Sequence, residues 1–147
     1  MTRRGRSADF WFRGVSRAHA ALLKASRWRL GAGIVGMPIV ELRTIGRRSG
    51  RPRAVILSAP VIDGERLVLV ASKGGDDRNP AWYDNLVANP SVDLTVRGTT
   101  RPMTARPADA EERAVLWPKV VGAYSGYAVY QHRTSREIPL VICEPRD

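Results

Sequence analysis

The chain has 147 residues, 44% hydrophobic and 26% charged, with 24 Lys and Arg against 14 Asp and Glu for a net charge of +10. A chain of this length buries a core without disulfides or a structural metal, and its hydrophobic content excludes a disordered or collagenous molecule. No apolar run reaches the ~20 residues that cross a bilayer, and the lone Cys143, set in an apolar run, excludes an internal disulfide and suits a reducing, cytoplasmic compartment.

The positive charge is unevenly spread. Residues 1–29 hold eight basic side chains and one acid, Asp9; residues 30–53 hold five and one, Glu41; residues 54–147 hold eleven bases and twelve acids. An anionic partner is therefore expected at the first 53 residues.

From Ser7 to Leu30 there is no Pro and a single Gly, Gly14. On a helical wheel Arg6, Arg13, Arg17, Lys24 and Arg27 share one narrow sector, with Trp11, Val15, Ala18 and Leu22 opposite. This amphipathic helix either packs on its own domain with its charges in water or lies on an anionic membrane surface through residues 6–30. The following apolar run lies far from the arginines and lacks a small-residue cleavage site, so it does not read as a secretion signal. Gly31-Ala32-Gly33-Ile34-Val35-Gly36 spells the dinucleotide fingerprint. It lacks the preceding strand, the following helix and an acid ~20 residues on, and reads as a connector. Residues 1–37 are thus a basic helix with a glycine-rich connector, and residues 38–147 the main domain.

Beyond Pro38, short apolar or alternating runs at 39–45, 54–62, 66–72, 92–97, 101–106 and 137–143 predict six strands. Asp63-Gly64 marks a hairpin and Gly98 another turn. One helix is expected from Asn79-Pro80, read as cap and first helical residue, to Asn89-Pro90. A second is expected from Asp109, whose spacing to Glu112 fits a capping box, to about Gly122. The order argues for a mainly β, mostly antiparallel barrel with peripheral helices.

His19 and His132 are the only histidines, which leaves little material for a metal cluster or a histidine-based triad, and no metal is expected. Hydrolase and P-loop motifs are missing. What stands out is Gly46-Arg47-Arg48-Ser49-Gly50-Arg51-Pro52-Arg53, a turn between two predicted strands with no acid between Glu41 and Asp63. Guanidinium forks and glycine-exposed N–H groups suit phosphate and carboxylate oxygens. Ala71-Ser72-Lys73-Gly74-Gly75 is a second candidate anion contact, next to the start of the Asn79-Pro80 helix.

These words, followed by Asn79-Pro80-Ala81-Trp82-Tyr83-x-Asn85-Leu86-x-Ala88-Asn89-Pro90 and by Ile138-Pro139 in the last strand, resemble the actinobacterial deazaflavin-dependent nitroreductases, in order from about residue 38 to residue 145. The resemblance implies a split β-barrel of the FMN-binding type and use of coenzyme F420, whose phosphodiester and polyglutamate tail match the positive turn. It implies cofactor contacts at Arg47, Arg48, Ser49 and Arg53, at Ser58, at Val70, Ala71, Ser72 and Lys73, at Ala81, Trp82 and Asn85, and at Tyr127. It also implies that Tyr124, Tyr127 and Tyr130, which otherwise read as an aromatic packing stripe, face an electron-poor acceptor such as a quinone, enone or nitro compound. Ser72, Tyr127 and Tyr130 are then the groups expected to stabilise charge or supply a proton. One departure bears on substrate choice: the stretch from Arg53 to Asp63 is one residue longer than the family pattern, and Ser58 or Ala59 stands where relatives often carry an active-site Tyr. Three alternatives accompany the oxidoreductase reading: a non-catalytic F420 carrier, an enzyme using FMN, and a binder of anionic surfaces or nucleic acid. The last leaves the Trp82–Asn89 segment and the tyrosines without a role, so nucleic acid is not favoured; the oligomeric state is left open.

Overall fold

The computed structural model describes residues 37–146. The basic amphipathic helix expected over residues 6–30 and the connector after it lie outside these residues. Seven strands and three helices follow in the order β1 Ile39–Ile45, β2 Pro52–Ser58, β3 Val61–Asp63, β4 Arg66–Val70, a 3-10 turn Lys73–Gly75, α1 Ala81–Ala88, β5 Ser91–Val96, β6 Thr99–Pro107, α2 Ala110–Ala123, α3 Gly126–His132 and β7 Leu140–Pro145.

All pairings are antiparallel, in the sheet order β2-β1-β5-β6-β7-β4-β3. β2 and β3 occupy its two edges yet are joined only by Ala59 and Pro60. Two residues bridge two edges only if the sheet rolls up until they approach, which gives the expected split barrel. The run read from sequence as one strand over 54–62 is therefore two. Pro60 brings no N–H to a ladder, and Ala59, fully buried, donates its own N–H to Pro38 O at 2.9 Å. The chain crosses here from β1's side of the barrel to β4's.

Alternation places the core. Val40, Leu42 and Thr44 of β1 are buried, while their neighbours are half-buried. In β4 and β7 both faces are covered. Leu67, Leu69, Val141 and Cys143 join the barrel interior with Leu42, Leu94, Met103 and Trp82. Val68, Val70, Leu140 and Ile142 face a second layer made by Leu116, Val120, Tyr127 and Ile138. Full burial of such a side chain stabilises the fold by roughly 1.5–3 kcal/mol.

The ends of the elements follow expectation at α2 and depart from it elsewhere. Asp109 caps α2 as its spacing predicts: its side chain accepts from Glu112 N at 2.8 Å, and Glu112 Oε1 accepts from Asp109 N at 3.1 Å. Asn79 does not cap α1. Pro80 holds that position without a side-chain bond, and Asn79 Oδ1 accepts from Arg136 Nη1 at 2.8 Å instead. The 66–72 run stops pairing at Val70, because Ser72 already has helical dihedrals. β7 begins at Leu140, after Pro139.

Candidate functional site

The pairing pattern makes β1, β4 and β6 run one way and β2, β5 and β7 the other. The β1–β2 turn, the end of β4 and the α1 segment leading into β5 therefore gather at one end of the barrel. This end holds both anion contacts read from the sequence.

The β1–β2 turn is shaped by its glycines. Gly46 N donates to Arg51 O and Gly50 N to Gly46 O, both at 2.8 Å, and Gly50 sits at φ +67°. A side chain at Gly46 would meet Ser49 Oγ at 2.5 Å. Ser49 Oγ accepts from Arg51 N at 3.2 Å. The turn is anchored from α1: Arg47 N donates to Asn85 Oδ1 at 3.1 Å, and Asn85 Nδ2 donates to Thr44 Oγ1 at 3.2 Å, with Asn85 and Thr44 buried. The guanidinium groups are exposed. Arg47 lies 3.9 Å from Asp84, and among the described residues no carboxylate pairs with Arg48, Arg51 or Arg53. Beneath them opens a cleft of about 610 Å³, in which Arg47, Arg48, Ser49, Arg53, Ala81, Trp82 and Asn85 meet Thr44, Gly46, Ala54 and Val55. Seven of the sequence-predicted cofactor residues thus share one wall, cationic at the rim and apolar at Ala54, Val55, Ala81 and Trp82.

The remaining predicted residues are not among those lining that cleft. Val70, Ala71 and Ser72 are buried at the end of β4, with Ala71 N donating to Pro139 O at 3.0 Å. Lys73 is exposed in a left-handed conformation at φ +45°. Ser58 pairs with Ile39 at the far end of β2 from the basic turn. Continued past Pro60, the β3–β4 register would set Ser58 opposite Ala71. Among the described residues no such pairing occurs: β2 pairs only with β1, and β3 only with β4.

Val70 and Ala71 point to opposite layers: Ala71 belongs to the barrel interior with Trp82, and Val70 to the layer that contains Tyr127. Tyr124, Tyr127 and Tyr130 form a mutually edge-on trio with ring centroids 5.3, 6.1 and 6.3 Å apart. Burial pushes the Tyr127 hydroxyl up to about 12, and the hydrogen bond with Tyr124 is the main cause of a rise at Tyr130. These phenols keep their protons at neutral pH. Tyr124 is the C-cap of α2, whereas Tyr127 and Tyr130 stand on the separate helix α3, and the packing that sequence reading offered as the plain account of their spacing is real for all three.

Sequence reading missed the residues that hold the β4 end in place. Arg136 Nη2 donates to Ala71 O at 3.2 Å and to Ser72 O at 2.9 Å, and its Nε donates to Asp76 O at 2.8 Å. Arg133 Nη1 donates to Gly74 O at 3.2 Å. Gly75, at φ +88°, is pressed against α3, where a Cβ would meet Tyr130 O at 2.7 Å and Arg133 Cβ at 2.8 Å. The one legible signal was the Gly74-Gly75 pair, which marks a turn without naming what packs on it.

A family model described as F420H(2)-dependent quinone reductase matches residues 15–145. The chain is similar to an F420H(2)-dependent quinone reductase of Mycobacterium tuberculosis (strain H37Rv), 38% identical over 135 residues that make up 88% of this chain and 89% of the relative. Among solved structures it resembles an F420-H2 dependent reductase, FDR-A, with TM-score 0.67, 44% identity and coverage of 73% of this chain and 94% of that one. It also resembles a structure described as a domain-swapped dimer, with TM-score 0.67, 36% identity and coverage of 87% and 99%.

Proposed function

This chain belongs to the F420H(2)-dependent quinone reductase family, and from that premise we propose how its residues divide the work of a deazaflavin-dependent oxidoreductase acting on quinones. The observation that carries the reading is the cleft under the basic turn, whose donor set suits a ligand with a flat apolar body and an anionic tail. Arg47, Arg48 and Arg53 bind the tail's phosphate and carboxylates as charge-assisted forks. Ala81, Trp82 and Val55 wall the apolar part, and Asn85 holds the turn to α1 rather than reaching for the ligand. When bound and reduced, coenzyme F420 supplies a hydride to an electron-poor acceptor.

Ser72, with Ser58 and Lys73, orients the reacting end. The Tyr124, Tyr127 and Tyr130 hydroxyls face the acceptor, stabilise charge that builds on its oxygen, and hold the proton it takes up. Two elevated phenols suit this role, because they remain donors at neutral pH. The barrel of residues 38–147 is the cofactor-binding unit. Residues 6–30 make peripheral contact with an anionic membrane surface on the cytoplasmic side, where a hydrophobic quinone would be met. Among the described residues no helix is long and apolar enough to cross a membrane.

Fluorescence titration tests the reading directly: F420 is expected to bind in preference to FMN, and F420H2 to be consumed with repeated turnover on a soluble naphthoquinone. Binding without sustained turnover on any acceptor would instead favour a carrier, and equal or tighter FMN binding would end the cofactor assignment. Phosphatidylglycerol vesicles should sediment the full chain but not a chain lacking residues 1–30.

A further inference from the structure

We propose that Arg136, outside the cleft, is the positioning residue that fixes the main chain of Ala71, Ser72 and Lys73 for hydride transfer; this rests on the function proposed above. Its guanidinium spends every nitrogen on one stretch of chain: Nη2 on the carbonyls of Ala71 and Ser72, Nε on that of Asp76, and Nη1 on Asn79 Oδ1 just before α1. All four acceptors are neutral, and among the described residues no carboxylate lies within ion-pair distance of it. The charge therefore acts directly on the peptides it touches, and at longer range on the Asp76 carboxylate, whose own carbonyl it holds.

Two consequences follow from peptide geometry. In a trans peptide the N–H points opposite to the C=O, so carbonyls of Ala71 and Ser72 turned to Arg136 turn the N–H groups of Ser72 and Lys73 away from it. Among the described residues neither N–H has a backbone acceptor. The same grip stabilises the left-handed Lys73, a conformation that an ordinary side chain disfavours. Arg136 is itself held: Gln131 Nε2 donates to its carbonyl at 2.7 Å, and Gln131 Oε1 accepts from Ile138 N at 2.9 Å and from Arg113 Nη2 at 3.2 Å. Gln131 is on α3, beside Tyr130. One network therefore sets the distance between the two walls, the Ser72 loop and the tyrosine helix.

Lysine keeps the charge of arginine but lacks the fork that reaches four acceptors. Arg136→Lys is expected to lower kcat for F420H2 with a naphthoquinone by about tenfold or more, while the Kd for F420, set by the basic turn, moves by less than about threefold. In the cofactor-free protein, amide exchange over residues 71–76 should accelerate about tenfold in Arg136→Lys with no change in β7 peptides. In Arg136→Gly, millimolar guanidinium but not ammonium should restore part of kcat. Arg106→Met is the control: Arg106 bonds Glu112 through both Nη atoms and also reaches Glu144, so its loss should lower Tm and leave kcat alone. Unchanged exchange over 71–76, an unchanged kcat, or equal losses in kcat and F420 affinity would each overturn the assignment, and Arg136→Lys decides it even if the glycine variant does not fold. If the native chain shows no turnover at all, the functional reading fails, and the exchange measurement still judges Arg136.

Discussion

At the Gly46–Arg51 turn the side chains of interest stand in solvent and the backbone does the holding, through glycine conformations, a short hydrogen-bonded loop and the anchor from Asn85. At Tyr124–Tyr130 the arrangement is reversed: the side chains are packed into a hydrophobic layer and positioned by one another's rings, and Gly126 is small because a Cβ there would run into the Tyr124 ring. In the function proposed above, the first wall meets a polyanion and the second manages one proton; a wall that meets a polyanion gains from leaving its cations unpaired, since any neighbouring acid would have to be displaced. A wall that manages one proton gains from dryness, which keeps the phenol neutral.

This contrast can be broken at four places, in falling order of effect. Removing Arg48 and Arg53 together, as alanines, should weaken F420 binding by about 3–6 kcal/mol if the two act independently, with little change in Tm; fluorescence titration beside a melting curve measures both. Asn85→Ala should do the opposite, costing about 1–3 kcal/mol of stability because it strands the buried Thr44 hydroxyl and the Arg47 N–H, with a smaller loss of F420 affinity as the turn loosens. Urea titration checks the first part.

The tyrosine wall makes its own prediction at high pH. The folded protein holds the Tyr127 proton up to about 12 against an ordinary value of 10.0, and Cys143 is likewise pushed by burial from 9.0 to about 12. Both raised values mean stability that is complete below the ordinary pKa and is lost as pH rises toward the folded one. Tm should therefore fall from pH 9 upward, and Tyr127→Phe should flatten the part above pH 10. Smallest of all, Asp84→Asn should leave stability within about 0–1 kcal/mol, because the Arg47–Asp84 pair is exposed and 3.9 Å long. It should also tighten F420 slightly by freeing Arg47. Tighter binding here together with unchanged binding in the double arginine variant would contradict the idea of an unpaired cationic rim.

Much of this was legible where local chemistry decides structure. The alternation in β1, the Asp109–Glu112 capping box and the glycines of the basic turn each act within a few residues, and the structure follows them. The seventh strand was not separable from sequence, because 54–62 is apolar on both sides of Pro60 and only the change of partner strand divides it. Asn79 misled for a related reason: Pro80 takes the cap position, and Arg136, 57 residues away in sequence, takes the Asn79 side-chain oxygen. Arg136 itself gives no pattern at all, since it works through backbone carbonyls that every residue possesses. Of the site, the basic turn and its α1 wall came together around one cleft, whereas Ser58 and the β4 end do not line it.

The dipeptide Ala59-Pro60 has a mechanical implication. Because it tethers the first strand pair to the last, neither edge hairpin can slip without pulling on the other, and a single-residue slip would turn Leu42 and Leu69 outward. The spacing of the two edge strands is consequently set by covalent connectivity, not by hydrogen bonds between them.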